Sequence, residues 1–169
     1  MNSLWEKEFV PLEMETPQDI IENQCSLLNK QTNGQVIAKI TEYHGPITSY
    51  IKKGFSSLST IFADKEVNIQ DELGDVSEGD FTFEVFITSA STPNYKYRIM
   101  FIQFGIEFYP VKIVLDETIA TELNKETQIE CNNQNEFETL LKGILNSKKL
   151  EKVISALLSI TYKDEIPFD

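Results

Sequence analysis

The stretch FTFEVFITSASTPNYKYRIMFIQFGIEFYPVKIVL, residues 81–115, decides the fold. Phe81, Phe83, Val85 and Ile87 alternate with Thr82, Glu84, Phe86 and Thr88, the two-residue period of a half-buried strand. Ser89–Asn94, with Pro93, reads as a turn. Tyr95–Phe104 reads as the next strand, apolar on both faces from Ile99 onward. Gly105 marks another turn or a bulge, and Ile106–Leu115 reads as a third strand. Pro110 has no N–H to donate to a ladder, which places this third strand at an edge or bulges it there. Three consecutive strands with short turns make an antiparallel meander.

Upstream, Thr16-Pro17 opens a helix. Threonine is a good N-cap, proline suits the first helical position, and Asp19 suits the positive end of the helix dipole. Ile20, Ile21, Leu27 and Leu28 give an apolar stripe, and Thr32-Asn33-Gly34 is a stop signal, with glycine able to take the left-handed C′ conformation. Residues 35–43 read as a strand, closed by Gly45-Pro46. Residues 47–63 are mixed, with β-branched content favouring a strand near 55–62, and 64–80 read as an acidic loop. Residues 1–15 are an acidic lead-in with Leu4, Trp5, Phe9 and Leu12 as candidate anchors; such a segment is either mobile or laid on the domain through its apolar side chains.

Downstream, residues 116–132 are polar and carry no clear period. Asn133 to Glu136 then fits an N-cap with glutamate at N3. Phe137, Leu140, Leu141, Ile144 and Leu145 recur at helical spacing. After Asn146-Ser147 the pattern repeats as Leu150, Val153, Ile154, Leu157 and Leu158. Each stripe needs a burial surface, and one face of the sheet supplies it. Residues 161–169 read as an exposed tail. The expected architecture is a single α+β domain over 1–169: an N-terminal helix, an antiparallel sheet of about four or five strands, and a C-terminal helical hairpin on the sheet.

The charge is unevenly placed. The chain has 169 residues and a formal net charge of −12. Residues 1–24 carry a net of −5 and residues 62–84 a net of −7, so the remainder is balanced. Two acidic segments on a neutral body can steer a basic partner. The same acidity, with a single Arg98, argues against nucleic-acid binding, which needs cations for the phosphates. No run of about 18 apolar residues suggests a membrane span. The first residues lack the basic and apolar regions of a signal peptide. Two cysteines make no disulfide framework, so Cys25, on the first helix, and Cys131, in the polar approach to a later one, read as free thiols of a cytoplasmic protein.

Candidate chemistry is sparse. His44 sits beside Gly45-Pro46 at a strand end and reads as a surface turn histidine, since no nucleophile motif accompanies it. One histidine and two distant cysteines give no zinc-ligand spacing. The acidic run 71–80 fails the alternating ligand pattern of an EF-hand and reads as a solvated or protein-binding loop. No phosphate-binding glycine motif occurs, so no cofactor is implied. Phe81, Phe83, Tyr95, Tyr97, Phe101 and Phe108 have strand spacing and read as core. An exposed Tyr95/Tyr97 face beside Lys96 and Arg98 would be the exception.

Three stretches carry a family resemblance: Thr16-Pro17-Gln18-Asp19-Ile20-Ile21 running on to Thr32-Asn33-Gly34, Phe108-Tyr109-Pro110-Val111-Lys112-Ile113, and Asn135-Glu136-Phe137 running on to Leu157-Leu158. In this order they resemble a group of small, largely uncharacterised bacterial cytosolic proteins, similar in size and acidity to immunity or antitoxin-type proteins. The resemblance omits roughly 46–79 and carries no functional residues. With no catalytic motif and with focused acidity, the expected function is a non-enzymatic protein-binding module, in its sharper form an immunity or antitoxin-like protein that neutralises a basic partner through the acidic residues of 64–84. The candidate contact residues are Asp71, Glu72, Asp75, Glu78 and Asp80. The alternative is a small-ligand or regulatory domain with a pocket between sheet and helices.

Overall fold

The computed structural model describes residues 2–44, 48–49, 67–68 and 80–164, with 48–49, 67–68 and 161–164 described by backbone alone. The expected strand near 55–62 and most of the acidic loop 64–80 lie outside the described residues.

Helix α1, Pro17–Gln31, starts at Thr16. The Thr16 hydroxyl accepts from the Asp19 N–H at 3.1 Å, and the Asp19 carboxylate accepts from the Thr16 N–H at 3.0 Å. Asp19 therefore does more than face the dipole; it closes a capping box. At the other end Thr32 is the C-cap. Asn33, rather than the glycine, takes the left-handed C′ position at φ 51°, and Gly34 follows at φ 75°. The Asn33 N–H donates to the Lys30 carbonyl and the Gly34 N–H to the Asn29 carbonyl, the paired bonds of a Schellman stop.

Strand β1, Val36–Glu42, follows at once. Its outer edge is held by α1: the Ala38 N–H donates to the Asn29 side chain at 2.8 Å, and the Val36 N–H donates to the Thr32 hydroxyl at 3.3 Å. Thr48–Ser49 (β2) and Val67–Asn68 (β3) form a two-residue antiparallel ladder. The main sheet then resumes with β4, Phe81–Ser89, β5, Tyr97–Phe104, and β6, Val111–Leu115. The order is β1-β4-β5-β6-β7, every pair antiparallel, where β7 is Gln128–Cys131. The α+β class, the sheet of five strands and the meander match the sequence reading.

Two local readings need correction. The third meander strand starts at Val111, not Ile106, and it is an interior strand between β5 and β7. Residues 105–110 form a turn instead, with the Phe108 N–H donating to the Gly105 carbonyl, Phe108 at φ 70° and a cis Tyr109–Pro110 bond. Pro110 lies before the ladder, so its missing N–H leaves no gap in it. Residues 116–132, unassigned from sequence, hold α2, Glu117–Glu122, capped by the Asp116 carboxylate, and the edge strand β7. Six helical and four strand residues are too few to display a period. Cys131 is therefore a buried strand residue.

Helices α3, Gln134–Leu145, and α4, Lys148–Asp164, close the fold. The helical backbone of α4 continues through Asp164, four residues into the expected tail. Asn133 caps α3, but the Glu136 carboxylate reaches past it to accept from the Asn132 N–H at 2.8 Å. The start of α4 is capped from a distance: the Glu122 carboxylate accepts from the N–H groups of Lys148 and Lys149 at 2.8 and 2.9 Å, where the dipole is positive.

The core lies between one sheet face and these helices. Phe83, Val85, Ile87, Met100, Ile102, Ile113 and Leu115 meet Ile20 and Ile21 of α1, Phe137, Leu141 and Ile144 of α3, and Leu150 and Leu157 of α4. Phe137 is fully buried with its ring 6.5 Å from that of Tyr109. Phe137→Ala is expected to cost about 3–5 kcal/mol through lost burial and the cavity left behind, read as a lowered urea midpoint with an unchanged slope.

Candidate functional site

The most exposed feature is the arm that precedes α1. Leu4, Trp5, Phe9, Val10 and Leu12 are between 71% and 95% exposed. Of the two alternatives the sequence left open, these side chains do not lie on the described part of the domain. The Trp5 and Phe9 rings meet edge to face, 5.4 Å apart, and so shield each other only in part. Glu6, Glu8, Glu13 and Glu15 alternate with these apolar residues, with Lys7 as the one cation. The base of the arm is fixed: the Asn23 amide donates to the Glu15 carboxylate at 3.2 Å, and the capping box holds Thr16. Asp19 and Glu22 continue the acidic strip along exposed positions of α1. Uncovered apolar side chains set among carboxylates form a surface suited to protein contact.

Of the sequence-derived contact residues, Asp71, Glu72, Asp75 and Glu78 lie outside the described residues. Asp80 is half-buried just before β4, with its carboxylate beside Gly105, where a Cβ would come within 3.1 Å of it. Of the five, the structure therefore describes Asp80 alone.

His44 is highly exposed, with Nε2 3.1 Å from the Glu42 carboxylate. Both cysteines are free thiols. Burial, then the Glu22 charge, pushes the Cys25 thiol up to about 11, and burial with Glu136 also raises that of Cys131. Burial and the Glu138 carboxylate push the Tyr109 hydroxyl up to about 12. All three shifts keep these groups protonated and poorly nucleophilic at neutral pH. Among the described residues, no three His, Cys, Asp or Glu gather as metal ligands, and no helix is long and apolar enough to cross a membrane.

The second sheet face holds a site that sequence reading missed. Glu84 is 2% exposed yet charged. Lys96 pairs with its Oε1, and the Arg98 guanidinium lies 3.4 Å from its Oε2. Each cation also covers an aromatic ring, Lys96 that of Phe86 at 4.3 Å and Arg98 that of Phe101 at 4.6 Å. Lys96 and Arg98 thus serve a buried carboxylate, and Tyr97 is half-buried with Lys149 over its ring. Tyr95, at 41% exposure, is the more open of the two tyrosines. Phe83 and Phe101 are buried as expected, whereas Phe81 stays partly open. The only signal for a buried second face was the apolar run from Ile99, which makes Phe101 as buried as its inward neighbours.

Two cavities bear on ligand binding. Between sheet and helices, beside Ile21, Cys25, Ile99 and Met100, the free volume is about 30 Å³. That is room for about one water, against roughly 300–1,000 Å³ for small-molecule sites. An open groove of about 550 Å³ runs instead between α1, α3 and α4. Comparison with protein-family models, curated proteins and solved structures finds no match for this chain.

Two outcomes test these assignments. Lys96→Ala with Arg98→Ala strands the Glu84 charge and is expected to cost about 3–5 kcal/mol, most of it recovered when Glu84→Leu is added; urea titration of the double and triple variants measures both. Cys25, with its thiol near 11 rather than 9, should react with a disulfide reagent about 100-fold more slowly at pH 8 in the native chain than in guanidinium. Equal rates would show an open, unshifted thiol.

Proposed function

We propose that this chain is a non-enzymatic protein-binding module that engages a basic protein through an acidic surface, in the manner of an immunity or antitoxin protein. The observation that supports this reading most is the arm, where large apolar side chains stand uncovered between glutamates. Its chemistry complements a partner surface with an apolar depression and a basic rim. Apolar anchors such as Trp5 and Phe9 supply short-range affinity and slow dissociation. The net −7 of residues 62–84, including Asp71, Glu72, Asp75, Glu78 and Asp80, adds a long-range field that accelerates encounter.

The reading separates into two measurable parts. Affinity capture from native lysate at low salt should retain one basic protein that high salt releases. With that protein purified, neutralising Asp71, Glu72, Asp75, Glu78 and Asp80 to amides should slow association by about 10-fold or more at low salt and leave dissociation nearly unchanged. Association at the wild-type rate would defeat the acidic-surface mechanism.

A further inference from the structure

Two surfaces lie uncovered among the described residues, and they adjoin. One is the arm, residues 2–15, with five large apolar side chains in solvent. The other is the groove between α1, α3 and α4. Its wall includes Leu27, Leu28, Leu145 and Ile154, and Leu27 is half exposed despite its size. Glu15 and Lys142 also line it, so the arm leaves α1 at the edge of the groove.

We propose that the arm of one copy lies in the α1–α3–α4 groove of a second copy, and that reciprocal exchange makes a two-fold dimer. The groove has the volume of a site for a drug-sized body, about 300–1,000 Å³, which suits the Trp5–Phe9 ring pair. Residues 4–14, extended, reach about 35 Å at roughly 3.3 Å per residue. Helix α1 is about 22 Å long at 1.5 Å per residue, so the arm can run the length of the groove.

The occupant is a second copy rather than the same chain because the base of the arm is immobilised. Thr16 is held extended at ψ 156° ahead of Pro17, and Asn23 holds Glu15. With its exit fixed, the arm of a single chain remains in solvent although its own groove begins beside it. The charged residues of the groove wall, Glu15, Glu138 and Lys142, nearly balance, so the fit of arm to groove rests on apolar contact and not on charge. Repulsion between chains of net −12 is screened over about 8–10 Å at physiological salt, while arm and groove meet at contact distance.

The area is sufficient. Burying an aromatic side chain removes about 150–250 Å². Trp5, Phe9, Leu4, Val10 and Leu12, with the groove wall they cover and counted over two arms, reach the roughly 1,200–2,000 Å² of a stable interface. Reciprocal exchange also closes on itself, so it yields a dimer and no filament. The arm that we read as partner-binding is thereby sheltered between copies, and a partner must compete for it.

The test uses the purified full chain with no partner present, so its failure leaves the partner-binding reading standing. Trp5 is the single tryptophan, so its emission reports the arm alone. Sedimentation should give a dimer, with Trp5 emission shifting to the blue as concentration rises. Phe9→Ser and, separately, the groove substitution Leu27→Glu should each raise the dimer dissociation constant about 30-fold or more and return Trp5 to a solvent-exposed spectrum, with circular dichroism unchanged. Phe9→Ser keeps an intact groove and Leu27→Glu an intact arm, so their mixture should form a heterodimer through one arm and one groove. A chain that stays monomeric at millimolar concentration overturns the proposal. So does a dimer indifferent to both substitutions, and so does a blue-shifted Trp5 in a monomer, which would place the arm in its own groove.

Discussion

The antiparallel pairing of β4 with β5 is the constraint from which the other elements take their positions. Phe83 faces Ile102 and Val85 faces Met100, which turns all four toward the helices. The register then shifts, with Phe86 opposite Arg98, so that Ile99 is the extra residue of a bulge. Because side chains alternate with period two, a bulge moves everything beyond it to the other face. Here it lets Ile99 and Met100 both meet the helix-side core while Arg98 falls on the second face beside Glu84. Without the shift, the guanidinium and its carboxylate would not share a face.

That second face explains why the sheet centre is dry on both sides. Phe101 and Val114 are buried there, apart from the helix-side core. Glu84 is buried with them, and two cations that each lie on an aromatic ring hold its charge. A buried carboxylate paired this way adds little net stability over an apolar side chain, but removing its partners is costly. The arrangement therefore specifies register more than it strengthens the sheet.

The two ends of the sheet are treated differently. At β1, side chains of Asn29 on α1 and of its C-cap Thr32 occupy the outward N–H groups of Ala38 and Val36, which covers the first half of that edge. At the other end β7 borders α3, whose first turn is tied back through Glu136. Among the described residues, the arm and the helical groove are thus more open than the start of the β1 edge. The arm holds most of the highly exposed apolar side chains among the described residues, and charge concentrates on the arm and in residues 62–84.

Much of the fold was legible in the sequence. The Thr16-Pro17 start, the Asn33-Gly34 stop, the alternation in 81–89 and the helical stripes from Phe137 to Leu158 are local patterns, because capping, turn and amphipathic periods are set by near neighbours. Less was legible wherever an element is short or its role depends on distant residues. The helix Glu117–Glu122 and the strand Gln128–Cys131 are too brief to show a period, and Pro110 looked like an edge signal because its turn was invisible. Of the candidate contact residues, composition identified the charge but not its placement. By itself the sequence determined the fold class, the main elements and the concentration of acid, since these follow from pattern and count. Only the tertiary structure decided that Glu84 is buried between cations, that Glu122 caps a helix 26 residues away, and that Leu4, Trp5 and Phe9 find no cover. Each of these depends on which surfaces the chain brings together, and burial is a property of the assembled fold.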